Sequence, residues 1–399
     1  MKILLVCPYT PYPLTDGGKV RVYNLIKRLS VKHDITLICF TKNKQEEIGI
    51  AELKNICKKV EAIRRRSVWS PINFILAFFT RYPMVFVVNG FSWGLENLIL
   101  NELQNEKYDM IQVEHSYAAA NVIKATNKSG SPILKVLSEH NIESQIYERY
   151  LKVKGNVIMK LLLAIDIFKL KRAQARAWHY FDLCVFASEN DMNYFKRIYP
   201  KKRSALIPNG VDIELFKIGA VREKEVLSMI FVGNFKYMAN IDAMQFFIEM
   251  IFPLIKKDHP AAKLSIVGND PFGRAKRFKN ADVRVTGYVD DTGYYLSQSQ
   301  VFVAPLRIGS GTKLKILEAM ATGLPVVGTS IAFEGIDVKN GEDVLIADGP
   351  ERFASSVSQL FKDEELGKKL GENARRLIEK SYDWDKIAER LDALYSKWI

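Results

Sequence analysis

The sequence predicts an α/β protein with two doubly wound domains, each a parallel sheet covered by helices on both faces. Short continuous apolar runs alternate with stretches of helical spacing along the whole chain. Such runs are typical of parallel strands that are buried on both faces. The chain also has 399 residues, whereas a single hydrophobic core rarely grows beyond about 250–300 residues. We therefore expect two domains.

The predicted elements follow this alternation from the first residues onward. The first half has five strand-length apolar runs, at 3–7, 35–40, 110–113, 133–137 and 183–187. The second half has six, at 229–232, 263–267, 283–285, 301–304, 326–327 and 344–346. Helical spacing is found at 20–30, 166–180, 239–257, 313–321, 350–362 and 384–398. The pattern predicts the same strand–helix rhythm in both halves.

The domain boundary is predicted at the turn cluster Ile207-Pro-Asn-Gly-Val-Asp212, which the charged residues 222–225 follow. We place the linker at about 208–226. This gives an N-terminal domain at 1–207 and a C-terminal domain at 208–383. We expect the aromatic-rich helix at 384–399 to pack back on the N-terminal domain.

The net charge of +13 is unevenly placed. Residues 1–200 carry 29 Lys and Arg against 18 Asp and Glu, whereas residues 201–399 carry 29 against 27. A basic first half predicts an anionic partner, which could be a phosphorylated substrate, a lipid headgroup surface or nucleic acid. A general basic bias of the source proteome would instead spread the charge evenly.

Several classes of protein are disfavoured by simple patterns. The four cysteines, Cys7, Cys39, Cys57 and Cys184, lack the spacing of zinc or iron–sulfur sites and fit a reducing compartment. The apolar run at 3–7 is too short for a signal-peptide core and reads as a first strand. The uncharged stretch at 67–80 is shorter than the roughly 20 residues that span a bilayer. We therefore expect no transmembrane helix.

Two loops that follow predicted strands have the composition of anion sites at helix N-termini. Gly17 and Gly18 precede the helix at 20–30, although a plain turn before a helix would look the same. The second loop is more specific, because two glycines and two hydroxyl residues able to cap, Ser310 and Thr312, lead into a helix with basic residues beside it. It comprises Arg307, Gly309, Ser310, Gly311, Thr312, Lys313 and Lys315. Neither loop has the spacing of a Walker A or a dinucleotide fingerprint.

The run from Gly309 to Val327, with Leu-Glu-Ala-Met-Ala-Thr-Gly-Leu-Pro-Val-Val, resembles the donor-site signature of retaining GT-B glycosyltransferases of family four. Weaker supporting pieces lie in both halves in the expected order. They are the Gly17-Gly18 loop, 207–212, Phe231-Val-Gly-Asn234 and Val285-Thr-Gly-Tyr-Val289. The resemblance implies two Rossmann-like domains that face each other across a cleft.

The resemblance also implies roles for individual residues. Glu318 would bond the ribose of a nucleotide-sugar donor, and the loop at 287–289 would hold the base through its backbone. The diphosphate would lie between the glycine loops and the basic residues. The implied donor-binding set is Gly17, Gly18, Asn234, Tyr288, Val289, Arg307, Gly309, Ser310, Gly311, Thr312 and Glu318, with Lys313 as a catalytic cation.

Two positions depart from the family pattern. Many members have a second Glu eight residues before the one that matches Glu318, but this chain has Ser310 there. Many also have an Arg and a Lys after the strand that matches 229–232, but this chain offers only Lys236. The donor sugar is therefore left open, and we expect Arg307, Lys313 and Lys315 to carry more of the charge neutralisation.

His140 follows the predicted strand at 133–137, and His115 follows the strand at 110–113. The resemblance implies that a side chain at His140 reaches the transferring sugar, so we predict a catalytic role for it. A satisfied core or capping histidine is the alternative. His115 is the weaker candidate of the two.

No metal site and no cofactor are expected, because Asp290-Asp291-Thr292 lacks the Asp-x-Asp spacing of a metal-dependent GT-A enzyme. A helix N-terminus and basic side chains would stabilise the departing diphosphate instead. The resemblance implies retention, with the attacking hydroxyl on the same face as the diphosphate, which accepts the proton.

Two stretches of the first half mix basic and apolar residues. Lys58, Lys59, Arg64, Arg65, Arg66 and Arg81 surround Trp69, Phe74, Phe78, Phe79 and Phe86, and a similar mixture occupies 152–176. This composition predicts peripheral contact with an anionic membrane. Core helices with solvated lysines would look much the same.

The sequence therefore predicts a glycosyltransferase that moves a sugar from a UDP- or GDP-sugar to a glycan or lipid-linked acceptor in cell-surface polysaccharide synthesis. We expect a cytoplasmic location with contact at the inner face of the membrane, and no nucleic-acid partner. A sugar-nucleotide epimerase of the same fold and a degenerate nucleotide-sugar-binding scaffold are the alternatives.

Overall fold

The structure is a computed structural model that describes residues 1–151, 157–216, 225–309 and 311–398. Its strands form two parallel sheets with helices between successive strands. The prediction of an α/β protein with two doubly wound parts is confirmed.

The first sheet has seven strands in the order β3-β2-β1-β4-β5-β6-β7, and each neighbouring pair is parallel. The strands are β1 (Lys2–Cys7), β2 (Asp34–Thr41), β3 (Lys59–Arg64), β4 (Met110–Glu114), β5 (Leu134–Glu139), β6 (Leu183–Phe186) and β7 (Ser204–Leu206).

The second sheet has six strands in the order β10-β9-β8-β11-β12-β13, again all parallel. The strands are β8 (Ser228–Val232), β9 (Lys263–Val267), β10 (Val283–Gly287), β11 (Val301–Ala304), β12 (Val326–Gly328) and β13 (Leu345–Ile346).

The helices connect and cover these strands. In the first part of the chain they are α1 (Gly17–Leu29), α2 (Lys44–Ile56), α3 (Pro71–Phe79), α4 (Met84–Asn89), α5 (Trp93–Asn105), α6 (Ala119–Ser129), α7 (Glu143–Leu151), α8 (Val157–Tyr180) and α9 (Glu189–Ile198). In the second part they are α10 (Met238–Phe246), α11 (Phe252–Asp258), α12 (Thr292–Gln298), α13 (Leu314–Ala321), α14 (Pro350–Lys362), α15 (Glu364–Ser381) and α16 (Trp384–Ser396).

The two edge strands of the first sheet, β3 and β7, were not predicted. β3 alternates charged and apolar residues, and its side chains are half-buried or exposed. β7 has three residues and pairs only with β6. An edge strand has one neighbour and a wet side, so it need not be continuously apolar. A search for apolar runs therefore misses both.

Two predicted helices differ from the observed ones. α8 begins at Val157, well before the predicted residue 166, because its first turns are apolar apart from Lys160 and lack the one-sided spacing of an amphipathic helix. The predicted helix at 239–257 is α10 and α11 joined by a π-helical turn, Phe247–Ile251. Within the described residues, Met238–Asp258 is long and apolar enough to cross a membrane. A core helix passes the same test, and residues such as Met244, Phe247 and Ile255 lie in the apolar core.

The contacts divide the chain into two units, Met1–Pro208 with Ala388–Ile399, and Asn209–Ile387. Helix α16 begins in the second unit and ends in the first. In the first unit, Asp392 of α16 accepts hydrogen bonds from Lys32 and His33 at 2.8 Å each. Residues 217–224 of the predicted linker lie outside the described residues.

Helix α1 carries two buried cations, Lys19 and Arg21, directly after the Gly17-Gly18 loop. Lys19 forms a buried ion pair with Glu46 at 2.7 Å. Arg21 is 1% exposed and donates to the carbonyl oxygens of Ile207 at 2.8 Å and Pro208 at 2.9 Å. Arg21 therefore fixes the chain where the first unit ends, and it is held by backbone carbonyl groups.

Replacing Arg21 with Leu should lower the free energy of unfolding by about 2–4 kcal/mol, because two buried carbonyl groups lose their donors. Urea denaturation followed by circular dichroism measures the change. Lys27→Leu, on the exposed side of the same helix, is the matched control and should cost less than about 0.5 kcal/mol. An Arg21→Leu variant as stable as the parent would contradict this role.

Candidate functional site

The carboxyl ends of the parallel strands bring the loops of the second unit together. The loops after β8, β9 and β10 are tied by backbone bonds, from Gly233 N to Val267 O at 2.9 Å and from Gly268 N to Gly287 O at 3.0 Å. Gly268 has φ +131°, and a Cβ there would lie 2.2 Å from the carbonyl oxygen of Gly233. Only glycine allows this approach, so main chain rather than side chain forms this part of the edge.

Among the described residues, none of the glycine loop before α13 provides a side-chain cap for the start of that helix. Gly309 and Gly311 have φ values of +148° and +67°. Lys313 occupies the N-cap position and makes no side-chain cap bond. Thr312, which the sequence offered as a cap, donates instead to Gly335 O at 3.2 Å. Ser310 lies outside the described residues.

An uncapped helix N-terminus presents backbone N–H groups and the positive end of the helix dipole. Both favour a bound anion at this position. The role of this loop as an anion site stays a prediction, and the expected capping role of Thr312 is wrong, because its hydroxyl donates to Gly335 O.

Lys315 and Glu318 lie three residues apart and so on the same face of α13. Burial lowers the pKa of Lys315 to about 7, with the Glu318 carboxylate opposing the shift. Burial likewise raises the pKa of Glu318 to about 7, and Lys315 opposes it. Both groups therefore titrate close to neutral pH, and a new charge nearby would shift both pKa values.

A short polar chain links Lys315 to the end of β8. The Lys315 ammonium donates to Asn240 Oδ1 at 2.5 Å and lies 4.2 Å from the centre of the Phe231 ring. Asn240 Nδ2 in turn donates to the carbonyl oxygen of Asn234 at 2.7 Å. The predicted residue Asn234 is thus brought beside α13, and Asn240 is a neighbour that the sequence did not single out.

Two other predicted cations already have acidic partners. Arg307 donates to both oxygens of Asp242, at 3.0 and 2.5 Å, and lies over the Phe246 ring. Lys313 donates to Ile331 O at 2.7 Å and lies 3.7 Å from the Glu334 carboxylate. Among Arg307, Lys313 and Lys315, only Lys315 has no close carboxylate partner other than Glu318 within the described residues.

Tyr288 and Val289 directly follow β10, at the same edge of the sheet as the loops above. The Tyr288 side chain is largely exposed, and Val289 packs partly against the core of the second unit. The use of their backbone groups to hold the base stays a prediction.

In the first unit, the loops after β1 and β5 meet at the start of α1. Asp16 caps this helix by accepting from Lys19 N at 3.2 Å. A Cβ on Gly18 would lie 2.8 Å from the Tyr9 hydroxyl oxygen, and that hydroxyl is 3.4 Å from His140 Nδ1. Gly17 opens α1 and is exposed. The predicted Gly17, Gly18 and His140 therefore share one edge.

His140 is held by a buried chain of side chains that the sequence did not reveal. Its Nε2 lies 2.6 Å from Glu114 Oε2, and Gln112 donates to the other oxygen of Glu114 at 2.6 Å. Tyr395 of α16 donates its hydroxyl to Gln112 Oε1. The chain thus runs from α16 through β4 to His140.

The charge states of this chain follow from burial and pairing. Burial lowers the pKa of His140, which the bond to Glu114 opposes. Burial, the largest single effect, would raise the pKa of Glu114, but the bond and charge of His140 together with Arg21 and Gln112 outweigh it and leave the pKa lowered. A neutral His140 beside an ionised Glu114 donates from Nε2, which leaves Nδ1 as the acceptor.

His115 lies against His140, with ring centres 4.2 Å apart, and stacks on Tyr117 at 4.8 Å. Its backbone is left-handed at φ +64°, an unusual conformation for a side chain of this size. Its Nδ1 is buried with no hydrogen-bond partner among the described residues. The residue that the sequence ranked second is therefore part of the same cluster.

Glu139, the residue before His140, is fully buried and anchors the end of β5 next to this cluster. It accepts hydrogen bonds from Ser116 at 2.6 Å and Trp178 at 2.9 Å. Burial raises its pKa to about 7, although both bonds oppose the shift. These contacts fix the loop that carries His140.

Over the described ranges, no group of three or more His, Cys, Asp or Glu is arranged to hold a metal ion.

Both halves of the chain match known families. Residues 15–215 match the family Glycosyltransferase Family 4, and residues 227–363 match the family Glycosyl transferases group 1. The chain is 26% identical over 399 residues to an uncharacterized 44.6 kDa protein in the cps region of Klebsiella pneumoniae, with 97% of each chain covered.

Two further similarities cover part or all of the chain. A capsular polysaccharide biosynthesis glycosyltransferase of Staphylococcus aureus, CapM, is 25% identical over 205 residues, which cover 48% of this chain and 53% of CapM. The structure of Anabaena HepE in complex with UDP-glucose aligns over 100% of both chains with a TM-score of 0.68 and 16% identity, which supports the GT-B fold. The protein is a glycosyltransferase, an enzyme that belongs to the group 1 glycosyl transferases with a family 4 N-terminal region.

Proposed function

We propose that this glycosyltransferase moves a sugar from a UDP- or GDP-sugar to a glycan or lipid-linked acceptor during cell-surface polysaccharide synthesis, with retention and without a metal ion or cofactor. The observation that carries the proposal is the uncapped N-terminus of α13 with Lys315 and Glu318 on one of its faces. The similarity to CapM and to the cps-region protein supports the polysaccharide context.

The diphosphate of the donor binds at the start of α13 in this proposal. Its charge is favoured by the free N–H groups of the helix and by the helix dipole. Lys315 has a pKa near neutrality in the empty site, and an adjacent diphosphate would stabilise its protonated form. Lys313, held at the loop by Ile331 and Glu334, adds a second positive charge beside the phosphates.

The ribose and the base of the donor bind at the same edge of the second sheet in this proposal. Glu318 accepts from the ribose hydroxyl groups, and the backbone at Tyr288 and Val289 holds the base. The loops after β8 and β9, which pack closely through Gly233 and Gly268, end at this same edge. The HepE structure with UDP-glucose supports a nucleotide-sugar donor for this fold.

The transfer step needs stabilisation of the departing diphosphate more than a strong base. Charge grows on the diphosphate as its bond to the sugar breaks, and preorganised N–H groups and lysines stabilise that charge. The diphosphate oxygen takes the proton of the attacking hydroxyl, so retention requires both on one face of the sugar. His140 contacts the transferring sugar, with Glu114 fixing which ring nitrogen carries its proton.

Assays with UDP- and GDP-sugars labelled in the sugar separate this proposal from its alternatives. Transfer of label to an acceptor, or its slow release to water, supports a transferase. Conversion of the donor into an isomeric nucleotide sugar would indicate an epimerase. Nucleotide binding with no turnover of any donor would indicate a binding scaffold.

The Lys315–Glu318 pair gives nucleotide binding a characteristic pH dependence. Protonated Lys315 favours the diphosphate and ionised Glu318 favours the ribose, so the two groups, with pKa values of about 7, act in opposite directions as the pH rises. In Glu318→Gln, where the lysine alone titrates, UDP or GDP affinity should fall between about pH 6 and 8, and the complex should take up a proton because binding raises the pKa of Lys315. Calorimetry in buffers of different ionisation enthalpy measures both effects.

Variants of the pair test the assignment directly. Glu318→Gln should weaken binding by about 1–3 kcal/mol through loss of a charge-assisted bond, while retaining the decline caused by Lys315. Lys315→Met should weaken binding and abolish that decline. Lys369→Met, an exposed lysine of α15, is the control and should behave as the parent. Proton uptake that persists in Lys315→Met would refute the role of this lysine.

Replacing Glu114 with Gln should lower kcat by about 10- to 100-fold, because the neutral amide no longer holds His140 in one tautomer through a charged hydrogen bond. The KM for the donor should change little, since the donor is assigned to the other unit. Steady-state kinetics across pH measures the split. The pH profile of Glu114→Gln should also shift, whereas a purely structural role would lower the melting temperature and leave the profile of the remaining activity unchanged.

We also propose that the first unit lies on an anionic membrane surface through α3 and the start of α8. These helices adjoin, because Lys169 of α8 donates to Ala77 O of α3 at 2.6 Å. Apolar side chains are exposed on both. They are Trp69, Ile72, Phe74, Ile75, Phe78 and Phe79 at α3, and Val157, Ile158, Met159, Leu161, Leu162, Ile165 and Phe168 on α8.

The predicted membrane residues are not all available for that contact. Phe86 is buried in the core at 2% exposure. Arg65 donates to Asn89 at 2.8 Å, and Arg66 donates to Phe91 O at 2.8 Å. Residues 152–156 of the second predicted stretch lie outside the described residues. The contact is therefore assigned to the exposed apolar side chains, with Arg64 and Arg81 as exposed cations.

Sedimentation with anionic vesicles tests this surface. Phe78→Ser with Phe79→Ser should reduce the bound fraction strongly, since these rings are 74% and 79% exposed and lose their apolar contact. Val31→Ser with Ile48→Ser, at 84% and 76% exposure elsewhere on the unit, is the matched control and should bind as the parent.

Salt provides a second readout of the same surface. Binding of the parent should weaken between about 0.01 M and 0.1 M salt, as the Debye length falls from about 30 Å to about 10 Å. Equal sedimentation of the Phe78/Phe79 variant and its control, or no sedimentation of the parent, would rule out the membrane contact.

A further inference from the structure

We propose that a cavity of about 500 Å³ in the first unit is a binding site for a lipid phosphate, with the hydrocarbon chain inside and the phosphate at its rim. The cavity lies between α6, α8 and the segment that ends α3 and begins α4. Its volume falls in the range of natural small-molecule sites, about 300–1,000 Å³. The proposal rests on the proposed function only for the source of the lipid.

The interior of the cavity is apolar because small side chains leave space there. Ala119 and Ala120 on α6 and Ala173 and Ala175 on α8 contribute methyl groups where larger residues would fill the gap. Phe86 and Ile123 complete the apolar lining. An empty space of this kind favours a hydrocarbon chain, since each buried methylene contributes about 0.8 kcal/mol.

The rim is basic. Arg81, Lys124, Arg176 and the imidazole of His179 line the cavity, and the described lining includes no acidic residue. Lys124 is 3.4 Å from Glu96, and Arg81 lies over the Tyr82 ring. Arg176 is exposed and makes no hydrogen bond or ion pair with any residue that the structure describes. A phosphate is the group that arginine and lysine bind best in such a position.

The cavity adjoins the exposed apolar surface of the unit. Arg176 and Ala173 follow Phe168 on the same helix, and a rise of about 1.5 Å per residue places Arg176 about 12 Å from it. On the other side, Arg81 comes two residues after Phe79. A lipid that lies at a membrane surface against α3 and α8 would therefore meet the cationic rim with its phosphate.

The opposite wall of the cavity reaches the histidine cluster. The rings of Phe86 and Tyr117 are 5.6 Å apart, and Tyr117 stacks on His115. A hydrocarbon chain in the cavity is thus separated from His115 by the rings of Phe86 and Tyr117. The phosphate stays at the rim, where it can belong to a phospholipid that anchors the enzyme or to an acceptor whose sugar extends from the phosphate outside the cavity.

Calorimetry with the full chain and farnesyl monophosphate, a soluble lipid phosphate, tests the site without any nucleotide. We expect farnesyl monophosphate to bind at least about tenfold more tightly than farnesol or inorganic phosphate. Ala120→Phe, which fills the cavity, and Arg176→Gln, which removes the free cation, should each raise its Kd at least about tenfold. Arg172→Gln is the matched control, one turn away on α8 and outside the lining, and should stay within about twofold of the parent.

Three outcomes would overturn the site: no binding of farnesyl monophosphate, equal binding of farnesol, or an unchanged Kd in Ala120→Phe and Arg176→Gln. Unchanged melting temperature and UDP affinity show that each variant is folded. Because Arg176 is exposed, its variant keeps the test decisive if Ala120→Phe fails to fold.

A competition arm with dihexanoylphosphatidylglycerol identifies the source. Equal competition supports the site and assigns it to membrane phospholipid, whereas competition by the isoprenyl phosphate alone supports the site and assigns it to an acceptor. Donor turnover is measured on the same preparation. Turnover without lipid binding overturns this site alone, and lipid binding without turnover of any donor overturns the proposed function alone.

Discussion

The uniform direction of the strands is the constraint on which the candidate sites depend. Every pair in both sheets is parallel, so all strands of a sheet end at one edge, and the loops that follow them meet there. Residues far apart in the chain, such as Asn234 and Lys315, become neighbours for this reason. Helices begin at the same edge, which adds their free N–H groups to the polar side chains.

Burial decides which of the many cations can meet a ligand. Lys19, Arg21 and Arg307 look equivalent to Lys315 in a list of basic residues near glycine loops. The first three are held by Glu46, by backbone carbonyl groups and by Asp242, respectively. Lys315 has an amide and a nearby carboxyl group that titrates in the same range. A half-buried cation with weak compensation is the one whose charge a bound anion would stabilise most.

The first unit combines two features that a single function can use together. Its histidine cluster is rigid, with Glu114, Gln112 and Tyr395 behind His140 and with Glu139 tied to Ser116 and Trp178. Its α3–α8 side is instead apolar and exposed. The proposed function would use both features. The histidine cluster would serve the polar reaction, and the exposed apolar side would contact the lipid part of the acceptor.

The sequence by itself determined the fold class, most of the central strands and the glycine loop with its following helix. Continuous apolar runs and helix-entry glycines are local signals, so a window of the sequence contains them. Edge strands β3 and β7 escaped because they are half-solvated and do not need such runs.

Only the tertiary structure decided how the charged and polar side chains are paired. Glu114 and Tyr395 are separated by most of the chain, yet both belong to the chain of contacts that holds His140. Gly268, Asn240 and the cavity beside α8 likewise depend on which elements pack together. The partners of hydrogen bonds and buried charges are residues that are close in space but far apart in the sequence. Such contacts produce no periodic sequence pattern from which they could be predicted.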